Sequence, residues 1–320
     1  MGKIALVFPG QGSQYVGMAK DVYENNQIAK KIIDNACDAL DMDLKNIMFE
    51  GSDEELSKTE NTQPAIVTHS IALFEALNDA LDLKYDACLG LSLGEYSALV
   101  AADAIEFNDA VSLVKKRGKF MQDTVPQGKG AMAAILGLNR DKVENIIKSI
   151  DSGIVEVANY NSPGQIVISG ESKHIDEAMI KLKENGAKRA VKLNVSGPFH
   201  SSMLKDAGIK LSKELDKVNL RTPKISVVSN VNASYYENEG KDLLIQQVSS
   251  SVLWEDSIER LLDEGYDTFI EIGPGKTLKG FIKKISSNRK MDVNIYNIED
   301  TDSLEEFIKI YRNGEIVWWI

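Results

Sequence analysis

The most informative part of this 320-residue sequence is the segment Leu89-Gly90-Leu91-Ser92-Leu93-Gly94-Glu95. It follows a short apolar run that starts at Ala87, and it precedes a helical pattern over residues 95–102. In that context Gly-x-Ser-x-Gly is typical of a nucleophile elbow, a sharp strand-to-helix turn that exposes the serine hydroxyl. We therefore interpret Ser92 as a nucleophile and the amide of Leu93, at the helix N-terminus, as a donor to an oxyanion. The alternative is an ordinary tight turn with a serine N-cap.

Length and composition indicate a globular protein with a large domain and a smaller one. The hydrophobic fraction is 43% and the charged fraction 27%, both ordinary values. The apolar runs are shorter than the roughly 18 residues of a membrane span, and the apolar run near the N-terminus is too short for a signal peptide. The net charge of −11 argues against nucleic acid as a partner. Two cysteines, Cys37 and Cys88, lack metal-ligand spacing and favour a reducing, cytoplasmic location without a bound metal.

Strand and helix patterns alternate along most of the chain, which predicts an α/β fold with a parallel sheet. After Pro126 the pattern changes to the order βαββαβ, which is typical of a ferredoxin-like unit. We therefore predict a large α/β-hydrolase-like domain over residues 1–126 and 198–320, with a ferredoxin-like subdomain inserted at residues 127–197. The apolar tail, residues 317–320, is expected to pack against the rest of the protein.

A serine hydroxyl needs a base to become a nucleophile, and the sequence offers three histidines. His69 lies in an apolar helical pattern and is interpreted as a core residue. His174 lies on an amphipathic helix and is interpreted as solvated. His200 belongs to Gly197-Pro198-Phe199-His200, where the chain returns from the inserted subdomain, and such junctions often border a cleft. By elimination His200 is the predicted base, although no aspartate stands out to orient it.

Arg117 is the candidate for binding a charged group. Its neighbours Phe120 and Met121 indicate a partly buried helix face. A buried arginine binds a carboxylate through two parallel hydrogen bonds and disfavours substrates that lack one. The alternative is a solvated basic face shared with Lys115 and Lys116.

The loop Pro9-Gly10-Gln11-Gly12-Ser13-Gln14 follows the first predicted strand, and its glycines indicate a close approach of the backbone to another group. No Gly-Lys-Ser/Thr sequence follows, so a phosphate-binding loop is disfavoured. A loop that donates an amide to an oxyanion is the alternative. We also find no dinucleotide fingerprint.

Four stretches of the chain, in order, resemble the malonyl-CoA:acyl carrier protein transacylases. They are Phe8-Pro9-Gly10-Gln11-Gly12-Ser13-Gln14, Gly90-Leu91-Ser92-Leu93-Gly94-Glu95-Tyr96, Arg117-Gly118 with Met121-Gln122, and Gly197-Pro198-Phe199-His200. Residues 159–165 and 271–275 match the family as well. Each motif is weak alone, but together they cover essentially the whole chain.

The resemblance implies a two-step acyl transfer. Malonyl-CoA, a substrate rather than a cofactor, binds with its carboxylate on Arg117. Ser92, deprotonated by His200, attacks the thioester while the amides of Gln11 and Leu93 hold the oxyanion. The thiol of acyl carrier protein then takes the malonyl group. The implied partners are malonyl-CoA and acyl carrier protein, no cofactor is expected, and we expect a monomer.

The family also bears on three further positions. A backbone carbonyl orients its histidine, and the spacing to Trp254 assigns this carbonyl to Gln247, with Gln246 as the neighbouring alternative. Phe199 resembles the malonyl-selective pattern and predicts malonyl over methylmalonyl. Leu91 stands where the family usually has histidine, which leaves the role of that histidine open in this chain.

Two other functions compete with the transferase. A serine hydrolase or thioesterase of acyl-CoA would share the nucleophile. A non-catalytic scaffold could instead bind carrier protein. For a carrier protein, which is itself acidic, the candidate docking residues are Lys115 with Lys116, or Lys283 with Lys284.

Overall fold

The computed structural model describes residues 2–150, 153–237 and 240–314. Within these ranges the protein is a mixed α/β structure with a parallel sheet and a separate, smaller antiparallel sheet, so the predicted fold class is confirmed. None of the described helices combines the length and the apolar character of a membrane span. The predicted packing of the tail, residues 317–320, lies outside the described residues.

The described elements alternate as the sequence predicts. The strands are β1 (Lys3–Phe8), β2 (Ala87–Gly90), β3 (Gly130–Leu136), β4 (Val155–Ser162), β5 (Gln165–Glu171), β6 (Arg189–Lys192), β7 (Ser226–Val228), β8 (Tyr266–Ile272) and β9 (Asn294–Ile298). The helices are α1 (Lys20–Asn25), α2 (Gln27–Leu40), α3 (Leu44–Phe49), α4 (Asp53–Leu56), α5 (Thr59–Ala80), α6 (Gly94–Ala101), α7 (Phe107–Thr124), α8 (Arg140–Lys148), α9 (Ser172–Glu184), α10 (Lys205–Leu215), α11 (Gly240–Gln247), α12 (Trp254–Asp263), α13 (Thr277–Asn288) and α14 (Thr301–Arg312).

The parallel sheet has the strand order β7-β2-β1-β8-β9. Its central strand β1 is apolar from Ile4 to Phe8 and is buried, as expected for a parallel strand covered by helices on both faces. Phe8 pairs with Gly90, and Leu89 pairs with Val228. Because all these strands run in one direction, the loops after β1, β2 and β7 meet at the same edge of the sheet. That edge carries the candidate site.

The antiparallel sheet has the order β4-β5-β3-β6, and α8 and α9 pack with it around a core of its own. The element order βαββαβ agrees with the predicted ferredoxin-like unit, while the predicted domain boundaries stay a prediction. Backbone hydrogen bonds join β4 of the small sheet to the segment between α11 and α12, whose Leu253 N donates to Asn230 O, just after β7, at 2.9 Å. Val252 N donates to Ala158 O at 2.8 Å, and Tyr160 N donates to Val252 O at 3.0 Å. These bonds fix the small sheet beside the edge of the large one.

The helical pattern of residues 18–40 predicts one helix, and this prediction is wrong because α1 and α2 are separate helices. Asn26, between them, has an extended backbone with φ −128° and ψ 120°. Its side chain accepts hydrogen bonds from Ile28 N and Ala29 N, both at 3.0 Å. An asparagine that caps the second helix in this way ends the first one, since an N-cap residue lies outside the helical conformation.

Candidate active site

Ser92 lies in a sharp turn between β2 and α6, at the carboxyl edge of the parallel sheet. Its φ of 52° is in the left-handed region, which is strained for a serine. Two glycines make this turn possible. A Cβ on Gly90 would lie 1.9 Å from the carbonyl carbon of Gly94, and a Cβ on Gly94 would lie 2.1 Å from Phe8 O. The turn therefore has the geometry of a nucleophile elbow.

His200 lies directly beside this serine. Its Nε2 is 2.7 Å from Ser92 Oγ, and its Nδ1 is 2.9 Å from the carbonyl oxygen of Gln247. A carbonyl oxygen only accepts, so Nδ1 carries the proton and the lone pair of Nε2 faces the serine hydroxyl. The structure thus brings the predicted base to the predicted nucleophile. It places Gln247, rather than the exposed Gln246, at the orienting position.

The imidazole is held in its neutral form. His200 is 5% exposed, and burial together with the nearby Arg117 cation lowers the pKa of His200 to about 4. At neutral pH the ring is therefore unprotonated and able to accept the serine proton.

Arg117, on α7, is 1% exposed, which is deeper than the partial burial that the sequence suggested. Its Nη1 donates to Gln63 Oε1 at 2.8 Å. Its Nη2 donates to Gln247 Oε1 at 3.0 Å and to Ser92 Oγ at 3.2 Å. In the described residues no carboxylate lies within ion-pair distance of this guanidinium. Its hydrogen-bond acceptors are neutral, and the buried Glu95 carboxylate acts on it only through a longer-range charge interaction.

Gln11 and Leu93 both line the cleft that contains Ser92. Leu93 immediately precedes α6, so its amide lies at a helix N-terminus. Within the described residues neither backbone N–H donates to another group. Both amides thus remain available to a ligand. The Gln11 loop is braced by a hydrogen bond from Ser13 Oγ to Gly10 O at 2.8 Å.

The cleft has a volume of about 210 Å³ and lies between the two sheets. Its walls are mostly apolar, and Leu91, Met132 and Phe281 contribute to them. Phe199 is buried in the same wall, next to His200. An acyl group attached to Ser92 would therefore be enclosed mainly by apolar side chains, and the polar groups of the lining include the guanidinium, the two amides, Asn159 and Asn161.

Sequence reasoning missed Asn230, which lies just after β7. Its Oδ1 accepts from Ser92 N at 2.6 Å, and its Nδ2 donates to Gly90 O at 2.7 Å. The sequence also gives no sign of the role of Gln63, whose side chain accepts from Arg117. The available signal for Asn230 was a polar residue directly after a buried strand, at the edge where the ends of parallel strands meet.

Glu95 was also missed, although it lies within the elbow motif. Its Oε2 accepts from Asn230 N at 2.9 Å and from Gln247 Nε2 at 3.0 Å, and its Oε1 accepts from the hydroxyl of Tyr236. Burial raises the pKa of Glu95 to about 7, while these three hydrogen bonds and Arg117 oppose the increase.

The other two histidines lie away from Ser92. His69 is fully buried, its Nε2 is 2.9 Å from Glu299 O, and burial lowers its pKa to about 4, in agreement with a core residue. The interpretation of His174 as solvated was wrong. Its side chain is 14% exposed, and its Nδ1 is 3.0 Å from Glu171 Oε2, because one helical turn brings the two residues together. In the described part of the chain no cluster of three or more His, Cys, Asp or Glu side chains is arranged to hold a metal.

An activated serine on an elbow, beside donors that face a developing oxyanion, is typical of enzymes that form an acyl-serine. The comparison with sequence families agrees with this class. A family described as the acyl transferase domain matches residues 5–300.

Individual relatives narrow the class. A malonyl CoA-acyl carrier protein transacylase of Bacillus subtilis is 48% identical over 316 residues, which cover 98% of this chain and 98% of that protein. The crystal structure of the Clostridium perfringens protein of the same name is 47% identical, with a TM-score of 0.93 and 99% of both chains covered. A malonyl-transacylase in complex with a type II PKS acyl-carrier protein is 36% identical, with a TM-score of 0.92 over 96% of this chain and 99% of that one. This chain belongs to the family of malonyl CoA-acyl carrier protein transacylases.

The lowered pKa of His200 predicts the pH dependence of Ser92 reactivity. The unprotonated imidazole is the active form, so the rate should stay level as the pH falls from about 8 and drop only as it approaches about 4. The measurement is the rate at which phenylmethylsulfonyl fluoride modifies Ser92, followed by intact-mass spectrometry wherever the circular dichroism spectrum stays native.

A parallel series with Glu95→Gln removes the titration of the other buried group of the site. A loss of reactivity centred near the ordinary histidine pKa of 6.5 in both proteins would contradict the prediction.

Proposed function

We propose that this protein transfers the malonyl group of malonyl-CoA to the phosphopantetheine thiol of acyl carrier protein, through a malonyl-serine intermediate, in fatty acid biosynthesis. One observation carries the proposal. A buried guanidinium without a carboxylate partner lies 3.2 Å from the nucleophilic oxygen. An acyl group that ends in a carboxylate supplies an anion in direct contact with this guanidinium, whereas a neutral acyl group leaves the guanidinium without a direct ionic partner. Malonyl is such a group.

In the first half-reaction Ser92 Oγ attacks the thioester carbonyl and gives its proton to His200 Nε2. The negative charge moves to the carbonyl oxygen, where the amides of Gln11 and Leu93 donate to it. When the intermediate collapses, the bond to sulfur breaks, and the CoA thiolate leaves with the proton from Nε2. The Gln247 carbonyl stabilises the imidazolium throughout.

In the second half-reaction the thiol of acyl carrier protein gives its proton to His200 and attacks the malonyl ester. When this intermediate collapses, the bond between the acyl carbon and Ser92 Oγ breaks, and Oγ recovers the proton from His200 Nε2. The proposed scheme uses only side chains and amides of this protein and requires no cofactor. The solved relative in complex with an acyl-carrier protein supports the choice of acceptor.

The structure also suggests how Arg117 binds the malonyl carboxylate. The side-chain oxygens of Gln63 and Gln247 hold the guanidinium in place. The N–H that reaches Ser92 Oγ in the free protein is the one that we expect to turn to the carboxylate. This exchange pairs the charge and frees the nucleophile in one step.

The alternative of a thioesterase or hydrolase acting on neutral acyl chains is not favoured. Such an enzyme has no use for a buried cation at the serine, and the mostly apolar cleft offers few partners to an attacking water. The relatives named above are transacylases as well.

This protein has two candidate surfaces on which carrier protein could dock. Lys116 is already engaged, since its Nζ is 2.6 Å from Glu214 Oε2. Lys283 and Lys284 are exposed on α13, the helix whose Leu278 and Phe281 line the cleft. We therefore favour α13 as the surface that meets an acidic carrier protein.

We also propose that the protein works in the cytoplasm as a monomer. The free thiols of Cys37 and Cys88 support a reducing compartment.

The first test is direct detection of the acyl-enzyme. After brief mixing with malonyl-CoA, intact-mass spectrometry should show a gain of one malonyl group, which peptide mapping places on Ser92. Adding the holo form of acyl carrier protein should remove it and load the carrier. Ser92→Ala is the control and should show no gain. A gain that persists in Ser92→Ala, or an acyl-enzyme that only water discharges, would contradict the transferase.

The second test asks whether Arg117 binds the substrate carboxylate or has only a general structural role. Arg117→Ala should lower kcat/KM for malonyl-CoA by about 1,000-fold, because a broken buried charge pair costs on the order of 3–5 kcal/mol. Acetyl-CoA, which has no carboxylate, should be transferred equally well or better. Arg117→Lys keeps the charge and loses the planar guanidinium, so its kcat/KM for malonyl-CoA should lie between those of the wild type and Arg117→Ala. Equal losses for both thioesters would show that Arg117 does not act by binding the carboxylate.

The third test concerns Phe199. Its ring crowds the position of a methyl group on C2, so the wild-type protein should prefer malonyl-CoA to methylmalonyl-CoA. Phe199→Ser should reduce that preference by about tenfold, since one methyl group in a pocket is worth about 1–3 kcal/mol. The measurement is kcat/KM for both thioesters, with malonyl-CoA as the internal control. Comparable values for both in the wild-type protein would refute the assignment.

A further inference from the structure

Four buried polar side chains near Ser92 do not belong to the cleft lining, and the mechanism above uses only the last of them: Glu95, Asn230, Tyr236 and Gln247. We propose that Glu95 is a positioning residue, which holds the nucleophile, the base and the substrate-binding arginine in register through Asn230 and Gln247. The proposal deepens the proposed function and rests on it only for the identity of the acyl group.

The carboxylate of Glu95 has no exposed surface and accepts from three donors. Asn230 N and Gln247 Nε2 donate to Oε2 at 2.9 and 3.0 Å, and the hydroxyl of Tyr236 donates to Oε1. The structure describes no lysine or arginine in an ion pair with it. A buried anion of this kind is costly unless hydrogen bonds replace its lost water. Here two of the three replacing donors belong to residues that contact the catalytic groups, Asn230 and Gln247.

The first connection runs through Asn230 to the elbow. With its backbone N–H bound to Glu95, the side-chain amide of Asn230 spans the turn. Oδ1 accepts from Ser92 N at 2.6 Å, and Nδ2 donates to Gly90 O at 2.7 Å. These two bonds hold the strained backbone of Ser92 from both sides, so a shift of Asn230 would let the turn relax.

The second connection runs through Gln247 to the arginine and the histidine. Its Nε2 donates to Glu95 Oε2 and also to Ser92 O, at 3.0 Å in both cases. Its Oε1 accepts from Arg117 Nη2, also at 3.0 Å, and its backbone carbonyl holds His200 Nδ1 at 2.9 Å. One glutamine therefore contacts all three groups of the reaction.

The carboxyl oxygen of Glu95, as an acceptor, favours one orientation of the Gln247 amide. In the orientation of the structure the NH₂ group faces the carboxylate and the oxygen faces the guanidinium. A flipped amide would place an oxygen against the carboxylate and N–H groups against the cation, and both contacts would be repulsive. Without an acceptor at position 95, only Ser92 O and Arg117 would hold the Gln247 amide in this orientation, and Arg117 would be held less firmly.

The test compares two substitutions at position 95. In Glu95→Gln one amide oxygen can still accept from Asn230 N and Gln247 Nε2, and the new NH₂ group can donate to the Tyr236 hydroxyl, which turns to accept. In Glu95→Met, an unbranched side chain of similar length, all three donors lose their acceptor. Rates of Ser92 modification by phenylmethylsulfonyl fluoride are measured by intact mass, because this probe needs neither malonyl nor Arg117.

Glu95→Met should react about 100-fold more slowly than the wild-type protein, since small displacements of reacting groups cost rate factors of that order. Glu95→Gln should stay within about fivefold of the wild type, because the two hydrogen bonds that lead to the site remain. In acylation by malonyl-CoA and acetyl-CoA, Glu95→Met should also lose part of its preference for malonyl-CoA. This loss of preference is expected because Gln247 would hold Arg117 less firmly in that variant.

Glu271 provides a matched control. It is another fully buried carboxylate, and it accepts from Leu278 N at 3.0 Å and Lys279 N at 2.7 Å. Burial also raises its pKa to about 7, but its hydrogen bonds lead to the start of α13, in the cleft wall, and to none of Ser92, His200 and Arg117. Glu271→Met should lower the melting temperature about as much as Glu95→Met does and react with the sulfonyl fluoride within about threefold of the wild-type rate.

Three outcomes would overturn the proposal: a wild-type rate in folded Glu95→Met, an equal loss in Glu95→Gln, or an equal loss in Glu271→Met. If Glu95→Met does not fold, Glu95→Asp replaces it. Its shorter carboxylate cannot reach both donors, so about a tenfold loss is expected and a wild-type rate would refute the proposal. A protein that follows the sulfonylation series but never accepts malonyl would disprove the proposed function and leave this role of Glu95 standing.

Discussion

The left-handed backbone of Ser92 is the constraint on which the rest of the site depends. A φ of 52° is unfavourable for serine and persists only because the surroundings enforce it. The pairing of Phe8 with Gly90 brings two strand ends so close that only glycine fits at positions 90 and 94. Asn230 then bonds both sides of the turn. In this strained conformation the hydroxyl projects from the sheet edge towards the imidazole of His200 and the free amides of Gln11 and Leu93.

The parts of the fold and site that the sequence predicts are those set by neighbouring residues. The elbow, the glycine loop after β1 and the order βαββαβ each depend on short-range patterns, and the structure has all three. Without the family resemblance, His200 could be predicted only by elimination among three histidines and by its position where the chain returns from the inserted subdomain. Even the error over α1 and α2 has a local cause, the capping preference of Asn26.

The parts that could not be predicted depend on contacts between distant positions. Arg117 meets Gln63 across 54 residues and Gln247 across 130, and Asn230 meets Ser92 across 138. In sequence Gln63 is one of several polar residues in the first turns of its helix, and Glu95 is one acidic residue in the first turn of another. Their roles arise from the sheet topology, which brings the ends of separate strands and helices to one edge.

The charge of Arg117 connects binding with catalysis in the proposed reaction. In the free protein this cation, together with burial, lowers the pKa of His200. The imidazole is then neutral but a weak base, since the unpaired positive charge nearby opposes protonation. A carboxylate bound to Arg117 offsets that charge and removes one of the two causes that lower the pKa. The base therefore becomes stronger when a dicarboxylate-derived acyl group occupies the cleft, and a neutral acyl group gains no such help. The same guanidinium can thus select the substrate and raise the basicity of the group that activates Ser92.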